Sequence, residues 1–263
     1  MTPNEIGASP TPRVEHTEIL LADVKMPLRD HFSELRRRFS RVCLYISGAT
    51  MLAWFGYPTI FKLVSYPLVS CLGTSGNQFL ITGVADGFLV KFKISFVAGL
   101  ILATPLFLVE LWHFVAPGLH VHEQKMFKTL LPFSIALFMA GIGVAYMIMP
   151  VGVRWLIAQC PPNTRVLLTV SGAVSFVMGM LLSCGIMFQF PIITLGLAKI
   201  GIVKSRMLRK RWREAILGTV IIAAIVTPSA DAMTMCVLAV PLLGLYAVSL
   251  ALVKMVERTK ARQ

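Results

Sequence analysis

The sequence predicts an all-α polytopic membrane protein with six transmembrane helices and both termini in the cytoplasm. Three observations carry this. Hydrophobic residues make up 56% of the 263 residues and charged residues only 14%, at a mean hydropathy of +0.76, whereas a soluble domain carries nearer a quarter charged residues. Long apolar stretches recur from residue 39 to 253, and basic residues concentrate in the links between them. The net charge of +13 would suggest nucleic acid in a soluble protein. Here the basic residues do not form a face interleaved with aromatics, so nucleic-acid binding is not expected.

Residues 1–25 are polar and rich in Pro, Thr and acids. They lack an apolar core ahead of a small-residue cleavage site, so they read as a disordered cytoplasmic extension rather than a secretory signal. One membrane domain, 26–253, follows, and 254–263 form a basic cytoplasmic tail. No repeat of fixed period and no Gly-rich phosphate loop stands out.

A helix needs roughly 20 apolar residues to cross the hydrocarbon. The stretches that meet or approach this are 39–61, 90–112, 129–149, 174–198, 215–226 and 232–253. The fifth is too short to cross a full-thickness bilayer untilted. The sixth is expected to break at Pro241, where a helical hydrogen bond is lost. Placing the N-terminus in the cytoplasm assigns most of the 25 Lys and Arg to cytoplasmic segments, among them Arg36, Arg37 and Arg38, the run from Lys204 to Arg213, and Lys254, Arg258, Lys260 and Arg262.

Ahead of the first span, His31, Glu34 and Arg38 fall on one helical stripe, and Glu34 can pair with Arg38 at i,i+4. Such a segment is also what a solvated juxtamembrane helix looks like. On the same predicted side, the loop between the second and third spans runs from Trp112 through Phe114, Pro117, His120 and His122 to Glu123. A carboxylate held at the membrane face by aromatic and proline-stiffened neighbours is what a receptor for a cationic peptide needs. Glu110, just inside the second span, either adds a third carboxylate or faces water.

Gln189 lies mid-span in Phe188-Gln189-Phe190-Pro191, as glue between helices or as a polar contact for a partner helix. The five cysteines show no CxxC spacing. Cys71 and Cys160 both fall in predicted outside loops, where an oxidising compartment could pair them, or they are two unrelated small apolar residues. His113, His120, His122 and Glu123 do not complete a coordination sphere, so no metal or other cofactor is expected. There is no Ser/His/Asp order or paired catalytic carboxylates, which disfavours an enzyme. A secondary transporter or permease subunit is the alternative class, but inverted repeats with matched broken helices are not visible.

With these residues in place, the chain resembles the TatC family, the multispanning subunit of the twin-arginine protein translocase. The resemblance rests on His31, Glu34, Leu35, Arg36 and Arg38 before the first span and on Trp112, Phe114, Ala116, Pro117, Leu119, His122 and Glu123 in the first cytoplasmic loop. Tyr66-Pro67-Leu68, Pro105, Ser175-Phe176-Val177 and Thr227-Pro228 followed by Asp231 extend it over about residues 26 to 253. It implies a concave, glove-like bundle with short helices five and six, in the cytoplasmic (inner) membrane of a prokaryote. It also implies a receptor that binds twin-arginine signal peptides of folded cargo, recruits TatA- and TatB-like single-span proteins, self-associates in a multi-copy complex, and is driven by the proton-motive force. Residues matching Glu34 and Glu123 contact the paired arginines in that family. Arg36, Arg38, Phe114 and His122 are then expected at the peptide site, with Leu35, Pro105 and Pro117 shaping it. Gln189 stands where the family often has glutamate. Pro67, Pro228 and Asp231 mark the outside loops.

Overall fold

The computed structural model describes residues 28–72, 79–115, 121–161, 167–226 and 232–260; the side chains of 28–32, 72, 115, 121–129, 225, 226, 232–234, 259 and 260 lie outside that description. The extension at 1–25 and the expected site residues Pro117, Pro228 and Asp231 also lie outside the described residues.

The described residues form helices α1 (Leu28–Phe55), α2 (Tyr57–Leu72), α3 (Asp86–Val115), α4 (Val121–Ala158), α5 (Val170–Met187), α6 (Phe190–Lys199), α7 (Ser205–Lys210), α8 (Trp212–Val226) and α9 (Ala232–Lys260). Among them the β structure is a single isolated bridge, Leu80 to Thr169, which fastens the segment before α3 to the start of α5. Among the described residues, four stretches are long and apolar enough to cross a membrane: Asp86–Phe114, Leu130–Ala158, Val170–Lys199 and Met235–Arg258.

Prolines set where the helices deviate from the spans expected of the sequence. The first apolar stretch does not run unbroken from 39 to 61. It ends at Phe55, and after Gly56 a new helix begins with Pro58 in its first turn, where the missing N–H costs nothing. The fourth stretch divides at Phe188 and Gln189, because Pro191 at the start of α6 cannot donate back to α5. Pro241, by contrast, does not break the last helix, and α9 is 29 residues long. Helix six is therefore not short. The fifth, α8, starts earlier than expected, at Trp212, but still has only 15 residues.

Pro67 sits inside α2. Its ring nitrogen cannot donate to the carbonyl of Leu63 one turn back, and that carbonyl instead accepts from the Tyr146 hydroxyl of α4 at 2.9 Å. The orphan created by the proline thus becomes a tie between two helices.

The core lies where α2, α3, α4, α5 and α9 meet, around Val64, Leu68, Ile94, Met149, Val177, Cys184 and Leu238. Small residues bring the backbones together. A Cβ on Gly141 of α4 would lie 2.8 Å from the Cys184 carbonyl, and one on Gly185 of α5 would lie 2.6 Å from the Phe138 ring, so α4 and α5 could not close this tightly with a larger residue at either position. The thiols of Cys71 and Cys160 are free. The Cys71 thiol lies against the carbonyls of Pro67 and Pro150, and that of Cys160 turns to its own helix at Leu156. The bridge considered from the sequence is not formed here.

Candidate functional site

On α1, Glu34, Arg38 and Arg41 follow one another at helical spacing, so their side chains emerge on the flank that packs along α3. Glu34 pairs with Arg38 within the helix, the Arg38 Nε donating to Glu34 Oε1 at 2.9 Å and a second guanidinium nitrogen donating to the same oxygen. The arginine does not stop there. Its Nη1 reaches Oε2 of Glu110 on α3 at 3.1 Å, and Nη1 of Arg41 donates to the other oxygen of Glu110 at 2.9 Å.

Two carboxylates and two guanidiniums therefore form one neutral cluster across α1 and α3. Its members are graded in depth: side-chain exposure is 9% for Glu110, 18% for Arg38, 26% for Glu34 and 44% for Arg41. Glu110 is the inner carboxylate and does not face water. Burying it is tolerable because each oxygen carries a charged donor. Glu34 is the reachable one, and its Oε2 has no hydrogen-bond partner among the described residues.

The other expected site residues are placed less closely together. Arg36 makes no ion pair with the cluster and lines an open groove with Ser33, Arg37, Ser40, Arg41 and Leu44. Leu35 is exposed. Pro105 lies inside α3, where the Thr104 hydroxyl caps the carbonyl of Leu100 at 2.8 Å. Phe114 is half-buried at the end of α3. Glu123 and His122 fall in the first turn of α4, and their side chains, like that of His31, lie outside the described residues.

Trp112 Nε1 donates to the Ser134 hydroxyl at 3.2 Å, and the Ser134 carbonyl accepts from Gln189 Nε2 at 3.0 Å. Ser134, fully buried on α4, thus joins the end of α3 to the turn between α5 and α6. The sequence did not single out Ser134 or Arg41. For Arg41 a signal existed, since it continues the stripe of Glu34 and Arg38 by one further turn. Two lysines also escaped notice. Lys91 lies 4.3 Å from the centre of the Trp54 ring, and Lys93 donates to Ser175 at 2.7 Å, which lets both cations sit near the start of an apolar helix.

The fold and this cluster define an all-helical, multi-pass membrane protein whose charged chemistry is gathered between two helices rather than in a catalytic cleft. Residues 30–241 match the family model described as Sec-independent protein translocase protein (TatC). The chain belongs to the TatC family, whose members are protein translocase components and not enzymes. It is 31% identical to a TatC of Frankia casuarinae over all of this chain and 74% of that protein. It is 34% identical to one of Deinococcus radiodurans, covering 86% of this chain and 85% of that one. A chloroplastic relative from Pisum sativum is 32% identical over 92% of this chain and 67% of its own length. Among solved structures, a crystal structure of the twin-arginine translocase receptor TatC superposes with a TM-score of 0.77 at 28% identity, covering 86% of this chain and 99% of the other.

Proposed function

We propose that the chain is the receptor subunit of a twin-arginine translocase. In this role it binds the paired arginines of signal peptides on folded cargo at the end of the bundle where α1 meets α3. The observation that carries this is the Glu34, Arg38, Glu110 and Arg41 cluster, in which carboxylates already hold guanidinium groups. A guanidinium offers a planar fork that an ammonium cannot reproduce, so spaced carboxylates can demand arginine rather than positive charge alone. Each charge-assisted contact contributes about 1.5 to 3 kcal/mol net, enough with apolar contacts for micromolar recognition.

In this proposal Glu123 supplies a second carboxylate for the peptide, with Phe114, Pro117 and His122 shaping the loop that carries it. Arg36 stays outside the cluster and is available to partners. The chain spans the cytoplasmic membrane of a prokaryote six times with both termini inside. It self-associates, recruits TatA- and TatB-like single-span proteins with Gln189 as a polar contact, and works from the proton-motive force.

The test is binding of a twin-arginine peptide to the purified protein in lipid nanodiscs. Glu34→Ala and Glu123→Gln should each abolish measurable binding while the protein remains inserted. Charge reversal at Glu123 should be worse than neutralisation. Unchanged affinity in both variants would overturn the proposal.

A further inference from the structure

We propose that Arg38 is an internal stand-in for the incoming arginine, and that Glu110 is the positioning residue that holds it while the ligand takes Glu34. This deepens the receptor function proposed above and rests on it.

Three features of the cluster lead here. Arg38 does not close its fork on one carboxylate; it is shared between Glu34 and Glu110. A surface i,i+4 pair would need neither the second helix nor an arginine as little exposed as this one. Glu110 holds one guanidinium on each oxygen and its side chain is only 9% exposed, so it is the less accessible carboxylate for a ligand. Glu34 is the more exposed carboxylate and, among the described residues, uses a single oxygen.

An arginine that takes both oxygens of Glu34 with its planar fork must displace Arg38 from Oε1, and it displaces nothing else in the cluster. Once displaced, Arg38 remains paired with Glu110, so the exchange strands no charge in the protein. The competition also sets a threshold. A ligand must outbid a guanidinium that is already aligned, which a lysine ammonium, lacking the planar fork, does poorly. Glu110 further offsets the two cations of α1. Without it the cluster would be positive and would repel a dicationic peptide.

The experiment compares a twin-arginine with a twin-lysine peptide on full-length protein in nanodiscs, for the wild type, Arg38→Gln, Glu110→Gln and the double variant. Arg38→Gln should bind the twin-arginine peptide about tenfold more tightly and discriminate against lysine about tenfold less. Glu110→Gln should bind about tenfold more weakly, and the double variant should return to within about threefold of the wild type. Arg38→Lys, which keeps the charge but loses the fork, should fall between wild type and Arg38→Gln.

Nitrogen-15 NMR of the arginine Nε groups reads the same exchange without a variant that must fold. The Arg38 signal should move on adding the twin-arginine peptide and stay put with twin-lysine. Arg38→Gln binding no more tightly than wild type, or an Arg38 signal indifferent to the peptide, overturns the stand-in role alone. A wild-type protein that binds neither peptide overturns the receptor function and this inference together.

Discussion

Gln189 donates its side-chain amide to the backbone carbonyl of Ser134 at 3.0 Å, tying the turn between α5 and α6 to the interior of α4. The contact depends on an N–H donor, which an ionised carboxylate lacks.

Gln189→Leu should therefore lose about 0.6 kcal/mol and no more than about 2, the range for hydrogen bonds between membrane helices. Gln189→Glu should be the more damaging change at neutral pH, because a carboxylate would face a carbonyl with nothing to donate. Thermal unfolding in detergent measures both. A leucine variant as stable as the wild type would mean that this amide holds nothing together.

A second outcome concerns the crossing of α1 and α3. A Cβ on Gly99 would overlap the Thr50 hydroxyl oxygen and lie 2.6 Å from the Thr50 Cα, so Gly99→Ala pushes on backbone as well as on a side chain. The expected cost is about 1 to 3 kcal/mol. The effect should also travel. Arg38 lies twelve residues before Thr50 and Glu110 eleven after Gly99, so this crossing sets the register in which Glu110 meets Arg38 and Arg41. Weaker binding of a twin-arginine peptide by Gly99→Ala, alongside the lowered melting temperature, is the measurement. Intact binding would separate the register from the crossing.

The apolar runs made the helices legible, and spacing alone put Glu34 beside Arg38. What the sequence concealed lies in tertiary partners. Pro58, Pro191 and Pro241 have the same chemistry, yet the first two mark helix starts while the third lies within one continuous helix. Pro67, also within a helix, has the carbonyl it leaves unpaired met by Tyr146 of another helix, a partner that cannot be read from the sequence. Glu110 was ambiguous for a related reason. It is 72 residues from Arg38, and they meet only because α1 packs along α3, a crossing that the close approach of Gly99 to Thr50 helps to set.

The short helix α7 is held to α9 by two polar ties. Glu257 accepts from the Ser205 backbone N–H at 2.8 Å and from its hydroxyl, and the Tyr246 hydroxyl donates to the Leu208 carbonyl at 2.6 Å. Glu257→Ala should cost about 1 to 3 kcal/mol locally, as expected for a lost hydrogen bond to a charged group. Faster trypsin cleavage between Arg206 and Arg213, with global melting little changed, is the expected result. Cleavage at the wild-type rate would show that the segment is held by other contacts.

The last prediction follows from α8. At 15 residues it is roughly 22 Å long, while the hydrocarbon of a bilayer is about 30 Å thick. Its first turn carries Trp212, Arg213 and Glu214, all exposed, so the apolar part is shorter still. Its neighbour α9, at 29 residues, has length to spare. A bilayer meeting this pair must thin on the side where α8 ends, or α8 must sink, at a cost of fractions of a kcal/mol per Å of mismatch. We expect the local thinning to lower the barrier for folded cargo once single-span partners gather there. Adding one turn of leucines after Ile222, about 5.4 Å, substantially narrows the mismatch without touching Glu34, Arg38 or Glu110. The lengthened protein should bind a twin-arginine peptide as the wild type does and fail to export its cargo. Export at the wild-type rate would remove membrane thinning by α8 from the mechanism, and loss of peptide binding would show that α8 acts on the receptor end instead.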